Sequence, residues 1–351
     1  MSARWRVKHH IKAAASRFLY VLGLLQAWQA FALRRRTVIL MYHRVLSSEE
    51  RRVTGSHPGI IVGSETFERQ MATLKRRFNV LSVEAFADHL ASGVPLPNSS
   101  CLITFDDGWR DTYTNALPIL RKFGFPGLVF LPVSFIGRRR LFWREATTQL
   151  LVRIVAEVRR QPARRPEFRA LLLPIGLDHV LDLPDDDPRA SIIEAVAARQ
   201  GLVLPVADTL LPALSERLGP HPKQLGPADG FLDWDEVRAM ARLGIAFGGH
   251  GAEHLQLTRV SEEVAQNEIQ AAREVIGREL EGAVPTFSYP NGDYSSRIVD
   301  LVRRAGYRLA FTTRPGFARA GDDPYAIRRI NIHENATETT PMFLARVTGL
   351  F

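Results

Sequence analysis

The chain has 351 residues, 46% of them hydrophobic and 24% charged, a composition that buries a core and excludes a disordered or collagen-like chain. A single cysteine, Cys101, excludes an intramolecular disulfide framework and any cysteine-built zinc site. Residues 1–36 hold eight of the 46 Lys and Arg and none of the 37 acids, which leaves the rest nearly neutral at 38 against 37. Charge so confined points away from nucleic acid, whose binders spread it over a folded face.

Phe18 to Leu33 (FLYVLGLLQAWQAFAL) is an apolar stretch of 16 residues, short of the ~20 that a comfortable span wants, and it carries Gln26 and Gln29. Flanking arginines and lysines favour an anionic lipid surface. Residues 1–36 therefore read as a membrane-associating segment, either an anchor or an interfacial helix, on an undetermined side of the membrane. A cleaved signal peptide, with a small-x-small site at Ala30-Phe31-Ala32, ranks below that, because three arginines follow the site directly. A purely structural N-terminal helix is the third reading.

From Thr37 onward, short apolar runs alternate with helical patterns. Strands are expected at Thr37–Tyr42, Cys101–Phe105, Gly127–Pro132, Ile245–Gly249, Val284–Tyr289, Arg308–Thr312 and Ala326–Ile332. Helices are expected at Glu65–Arg77, Val83–Ser92, Asp111–Phe123, Trp234–Leu243, Glu262–Glu281 and Ser296–Ala305. This alternation implies βα units, a largely parallel sheet, and a closed or nearly closed barrel over an open sheet. Residues 138–230 break the rhythm with an arginine-rich stretch, the run Asp185-Asp186-Asp187, and Leu/Ala-rich helical segments at 142–159, 190–199 and 207–218. They read as a helical insertion over one end of the barrel, within a single domain 37–351.

Four places could carry chemistry. Asp106-Asp107-Gly108 follows an apolar strand, where parallel α/β folds place their sites, and two carboxylates there can divide cation binding from proton transfer. His250 and His254 also follow a strand, and imidazoles four residues apart can converge on one ion. With a carboxylate they make a set suited to zinc with an open position; backbone-bonded loop histidines are the plain alternative. Tyr289-Pro290-Asn291-Gly292 is a turn that could present backbone N–H groups to a substrate, although a turn needs no further reason. His333 ends the last strand, a lone histidine that a neighbour could simply satisfy.

In this order, Asp-Asp-Gly, His-x-x-x-His, the Tyr-Pro turn and a late histidine resemble the polysaccharide deacetylase family, the NodB-homology group of carbohydrate esterases, over about residues 37–335 apart from the insertion. Ile39 to Val45 (ILMYHRV) resembles the opening strand of the branch that acts on exported or lipid-linked polysaccharides. The resemblance implies an α/β fold, a distorted (β/α) barrel, and a divalent metal, usually zinc, serving removal of N-acetyl groups from amino sugars of an N-acetylated glycan. By motif, Asp106 would be the general base, Asp107, His250 and His254 the metal ligands, and His333 the acid protonating the leaving amine. The backbone N–H of Asn291, in the turn with Tyr289 and Pro290, would help hold the oxyanion.

Two departures stand out. Many members carry an arginine two residues before the motif proline, paired with the catalytic aspartate; here that position is Ser288, and Arg328 or Arg329 could replace it. The aromatic that often follows the proline is Asn291. A catalytically silent glycan-binding member of the fold and an O-acetyl esterase are the competing functions, the first disfavoured because mere binding needs no Asp106.

Overall fold

The computed structural model describes residues 3–94, 96–184, 188–199, 212–214, 216–218, 230–281 and 285–351. The acidic run 185–187, half of the expected helix 207–218 and the start of the expected strand 284–289 lie outside the described residues. The chain forms two compact units, one of residues 1–49, 58–138 and 231–351, the other of 50–57 and 139–230.

The first unit is built on a parallel sheet. Its strands, with those of a small side pair, are β1 (Thr37–Tyr42), β2 (Arg44–Leu46), β3 (Ile61–Gly63), β4 (Asn79–Val80), β5 (Ser100–Phe105), β6 (Gly127–Leu131), β7 (Ile245–Gly249), β8 (Thr286–Ser288), β9 (Leu309–Phe311) and β10 (Ile330–Asn331). The main sheet runs β10-β1-β5-β6-β7-β8-β9, with β4 also on β5, while β2 pairs with β3. Every ladder is parallel. β1 (TVILMY) and β5 (SCLITF) are buried at every position, which is why they read as unbroken apolar runs instead of alternating ones.

The sheet curls back on itself, giving a distorted barrel. Ile327 bridges Phe311 of β9 in parallel, and the same stretch continues into β10, which pairs with β1. Thus the expected strand 326–332 exists as a bridge plus a two-residue ladder, because the Arg329 N–H turns aside to the Arg314 carbonyl. Inside, Ile39, Leu102, Leu128, Phe130, Leu309 and Phe311 pack into one buried cluster. Side chains on a strand alternate, so Leu102, Thr104 and Asp106 share a face, and the aspartate continues the inward row at the strand's C-terminal end.

Residues 1–36 belong to this unit as two helices, Ala3–Val21 and Leu24–Ala32, joined through Gly23 at φ 74°. Among the described residues no helix is long and apolar enough to cross a membrane. Leu25, Gln29 and Ala32 are buried, the Trp28 indole N–H donates to the Thr348 carbonyl (3.2 Å), and the Gln29 amide donates to that of Arg77 (3.0 Å). The C-terminal helix Thr340–Val347, which the sequence pattern did not announce, lies beside both.

The second unit is helical, with segments Trp143–Arg160, Arg165–Leu172 and Arg189–Ala197. It has its own core, in which Leu151, Ile154, Phe168, Leu172, Val180 and Ile192 are buried. Residues 50–57 join it through bonds such as that of the Arg189 guanidinium to the Val53 carbonyl (2.8 Å).

Candidate metal and acid–base site

Asp106 and Asp107 are consecutive, yet they serve one pocket because the backbone turns sharply between them. Asp107 adopts φ 74° and Gly108 φ 65°, left-handed values that redirect a side chain otherwise aimed to the opposite face. Gly108 has little choice: a Cβ there would meet Leu131 Cδ2 at 3.0 Å and Ile136 Cδ1 at 3.1 Å. The turn is pinned from behind, where Asp111 accepts from the Arg44 guanidinium at 3.0 Å and from the Val45 N–H at 2.7 Å. Arg44 also covers the Trp109 ring at 4.1 Å, and that indole N–H donates to Asp107 Oδ2 at 3.1 Å. One carboxylate oxygen of Asp107 is thereby spoken for, and Oδ1 faces the histidines.

His250 and His254 close the set. His250 Nε2 lies 3.5 Å and His254 Nε2 3.3 Å from Asp107 Oδ1, and the three ligand atoms all lie within 4.8 Å of one another. The His250 Nδ1–H donates to the Ser288 carbonyl at 2.7 Å, which fixes the ring and leaves Nε2 as the inward lone pair. Burial opposes the charge of Asp107, but the two imidazoles outweigh it and hold the carboxyl well below its ordinary range. Burial likewise lowers His250, but Asp107, Asp106 and the Ser288 carbonyl together more than reverse it, so this imidazole titrates above its ordinary value. Two imidazole nitrogens and a carboxylate oxygen converging in a buried pocket are the donors a divalent cation such as zinc accepts, with positions left for substrate. The residues fit such an ion.

The loop carrying the histidines is clasped by a residue that sequence reasoning did not single out. Glu268, buried on the helix Glu262–Glu279, accepts from the Ala252 N–H at 3.0 Å and from the Glu253 N–H at 2.9 Å. Burial pushes its carboxyl above the usual range against the pull of those N–H groups. Gly251, at φ 74°, admits this approach, since a Cβ would stand 2.8 Å from Glu268 Oε2. Glu268→Ala frees the loop, and supporting contacts of this kind carry about 10–100-fold in metal affinity. Zinc titration by calorimetry should show that loss with the fold retained; unchanged affinity would make the clasp irrelevant to the site.

Asp106 is held differently. Arg329, wholly buried, donates from Nη1 to Asp106 Oδ1 at 2.7 Å and from Nη2 to Oδ2 at 2.6 Å. The same Nη2 donates to Ser288 Oγ at 2.8 Å, and the Arg329 Nε–H to the Thr312 carbonyl at 2.9 Å. Arg329 therefore occupies the role the motif arginine would fill from position 288, and the small Ser288 leaves room for it. Burial raises Asp106, but the Arg329 charge, then His250, Arg329's hydrogen bonds and His43 bring it below its ordinary value.

His43 was not among the expected site residues, yet it directly follows Tyr42, whose carbonyl accepts from the Asp106 N–H at 2.9 Å. β1 pairs Leu40 with Ile330 and Met41 with Asn331, and His333 stands two residues beyond that ladder, at the start of the helix Glu334–Thr337. His333 lines a cavity of about 290 Å³ with Lys8, His9, Lys12 and Arg346. The Tyr-Pro turn follows β8: Tyr289 is buried and donates its hydroxyl to the Tyr325 carbonyl at 2.9 Å, and Asn291 is exposed at φ 58°. The Ser288 contacts with His250 and Asp106 place that turn next to both halves of the site.

Comparison with known proteins bears on the fold and the family resemblance. The sequence profile of the family described as polysaccharide deacetylase matches residues 93–160 and 211–310. YxkH of Bacillus subtilis (strain 168), a polysaccharide deacetylase by designation, is 20% identical over 307 residues, 87% of this chain and 75% of that one. The poly-β-1,6-N-acetyl-D-glucosamine N-deacetylase of Escherichia coli (strain K12) is 32% identical over 74 residues, 21% of this chain and 11% of that one. Among solved structures, the deacetylase PplD of Streptococcus pyogenes, in complex with acetate, superposes with TM-score 0.56 at 20% identity. The superposition covers 89% of this chain and 98% of PplD. IcaB of Ammonifex degensii gives TM-score 0.56 at 18% identity over 89% and 97% of the two chains. The fold these share is the curled parallel sheet described above, and over the profile-matched residues this chain resembles the polysaccharide deacetylase family.

Proposed function

We propose that the chain is a metal-dependent carbohydrate N-deacetylase, hydrolysing N-acetyl groups of amino sugars in a poly- or oligosaccharide or glycolipid. The observation that carries this reading is the division of the two aspartates: Asp107 faces His250 and His254, and Asp106 is gripped by Arg329 beside them. A glycan-binding relic would have no need to keep a second carboxylate ionised at the same pocket. The amide-linked substrate class is further supported by the Escherichia coli relative, whose name specifies N-acetyl-D-glucosamine.

Asp107, His250 and His254 would hold the cation, which when bound supplies Lewis acidity towards water and towards a carbonyl oxygen. Asp106, lowered and therefore ionised at neutral pH, accepts the proton of the attacking water. The backbone N–H of Asn291, beyond Tyr289 and Pro290, donates to the oxyanion that forms on the amide carbonyl. Breaking the C–N bond requires a proton on the departing amine. We assign that proton to His43, which follows the Tyr42 carbonyl that the Asp106 N–H bonds at 2.9 Å, in place of the motif's late histidine His333.

Acetate release from chitooligosaccharides and from poly-β-1,6-N-acetylglucosamine tests the reading. Release should stop with a chelator and return with zinc. Metal-bound protein that frees no acetate from any N-acetylated glycan would refute it, and release confined to O-acetylated sugars would make the chain an esterase. His43→Ala should lower turnover about 10²-fold, within the range of a positioned acid. A larger loss in His333→Ala than in His43→Ala would reverse that assignment.

A further inference from the structure

We infer that the two N-terminal helices dock the protein flat on an anionic phospholipid surface. On Ala3–Val21 and the turn after it, Val7, Ile11, Phe18, Val21 and Leu22 are 58%, 62%, 64%, 75% and 55% exposed. At 3.6 residues per turn these positions form one stripe along the helix. On Leu24–Ala32 the residues Leu24, Trp28 and Phe31 repeat the pattern at 51%, 38% and 72% exposure. Eight of the fourteen exposed large apolar side chains among the described residues thus fall within 7–31. Scattered exposed leucines need no explanation, but a contiguous stripe rimmed by polar groups marks an interaction surface.

The stripe is not a core face awaiting its partner within the fold. The inward sides of the helices are already engaged, with Ser16, Leu25, Gln29 and Ala32 buried and the Gln29 amide bonded to the Arg77 carbonyl. The helical repeat sets Lys8 and Lys12 along one flank of the stripe and Arg17 along the other, all exposed, and Arg34 to Arg36 stand exposed at its end. Residues 1–36 contain no Asp or Glu to offset them. An apolar stripe between basic flanks matches the acyl boundary and the anionic headgroups of a bilayer surface. A second copy of the same face would bring like charges together, and among the described residues no helix is long and apolar enough to cross the bilayer.

Flotation of the full chain with vesicles tests this without reference to activity. The protein should rise with phosphatidylcholine vesicles containing phosphatidylglycerol, stay down with phosphatidylcholine alone, and be released by high salt. Phe18→Ser combined with Phe31→Ser removes two exposed anchors and should cost about tenfold in partitioning for each, with an unchanged thermal melt. Arg34→Gln, Arg35→Gln and Arg36→Gln should together weaken binding by roughly fivefold per charge, on anionic vesicles alone. Wild-type protein that fails to float with anionic vesicles, or a double-serine variant that floats equally well, would overturn the proposal. So would a dimer in sedimentation velocity that dissociates in the double-serine variant, since the face would then belong to a second copy.

Discussion

Asp106→Asn should lose turnover by about 10³- to 10⁴-fold, the upper part of the range for a positioned acid–base group, and still bind zinc with affinity close to that of the parent. The two outcomes separate because the structure separates the two carboxylates. Asp107, turned by its left-handed backbone, faces His250 and His254, while Asp106 stays on the inward row of β5 against Arg329. An amide retains the shape and one acceptor for Arg329 but cannot take a proton from water. It also leaves the buried guanidinium without a counter-charge, so the variant should melt below the parent by an amount worth roughly 3–5 kcal/mol. His250→Ala provides the contrast, since it removes a cation donor and should abolish zinc binding and turnover together. Acetate release under saturating substrate, beside zinc titration of each variant, distinguishes the cases. Asp106→Asn with near-parental rate would remove Asp106 from the proton-transfer role.

Much of this site is legible in the residues alone, and the reasons it is not wholly so are physical. Asp106, Asp107, His250 and His254 stand at the C-terminal ends of apolar runs, and parallel strands carry their side chains to one rim whatever the intervening sequence does. Arg329 could be narrowed only to one of two adjacent arginines, because alternation on a strand assigns opposite faces but not which face is inward. The structure resolves that choice by the 2.6–2.7 Å fork onto Asp106. His43 lies in the run ILMYHRV, where no motif marks it for a role; what brings it to the site is the pairing of β1 with β5 through Tyr42 and Phe105. Glu268 sits in the helix stretch EEVAQNEIQAAREV, where its charge looks like any solvated acid, and only the close approach of Gly251 makes it a buried clasp. For residues 1–36, hydropathy and charge suggest a lipid partner, whereas the burial of Leu25, Gln29 and Ala32 goes with contacts far off in sequence, such as that of Gln29 with Arg77, invisible to any local window.

Arg329→Met should be strongly destabilising, and its cost should depend on pH in a direction opposite to ordinary acid denaturation. In the parent, Asp106 titrates below its ordinary carboxyl value, so its ionised form contributes stability above the unfolded value near ~3.9, and that contribution fades as pH falls through the lowered folded value. Removing the guanidinium takes away its largest source of attraction and leaves burial, which pushes the same carboxyl upward. Ionising Asp106 in the folded variant then costs free energy, roughly 3–5 kcal/mol at neutral pH for a buried charge stripped of its partner. Below ~3.9 the carboxyl is protonated in both states and that deficit should largely vanish. Melting temperatures of parent and variant should therefore lie far apart at pH 7 and approach each other towards pH 4. Activity reads the same shift independently: a base that must be ionised should give a kcat/KM profile whose acid limb moves to higher pH in the variant. Arg329→Lys keeps a charge but loses the two-pronged grip, and should fall between the two in both measurements. A gap in melting temperature that stays constant with pH, with an unmoved acid limb, would mean that Arg329 only fills space and that the protonation state of Asp106 is set by other groups.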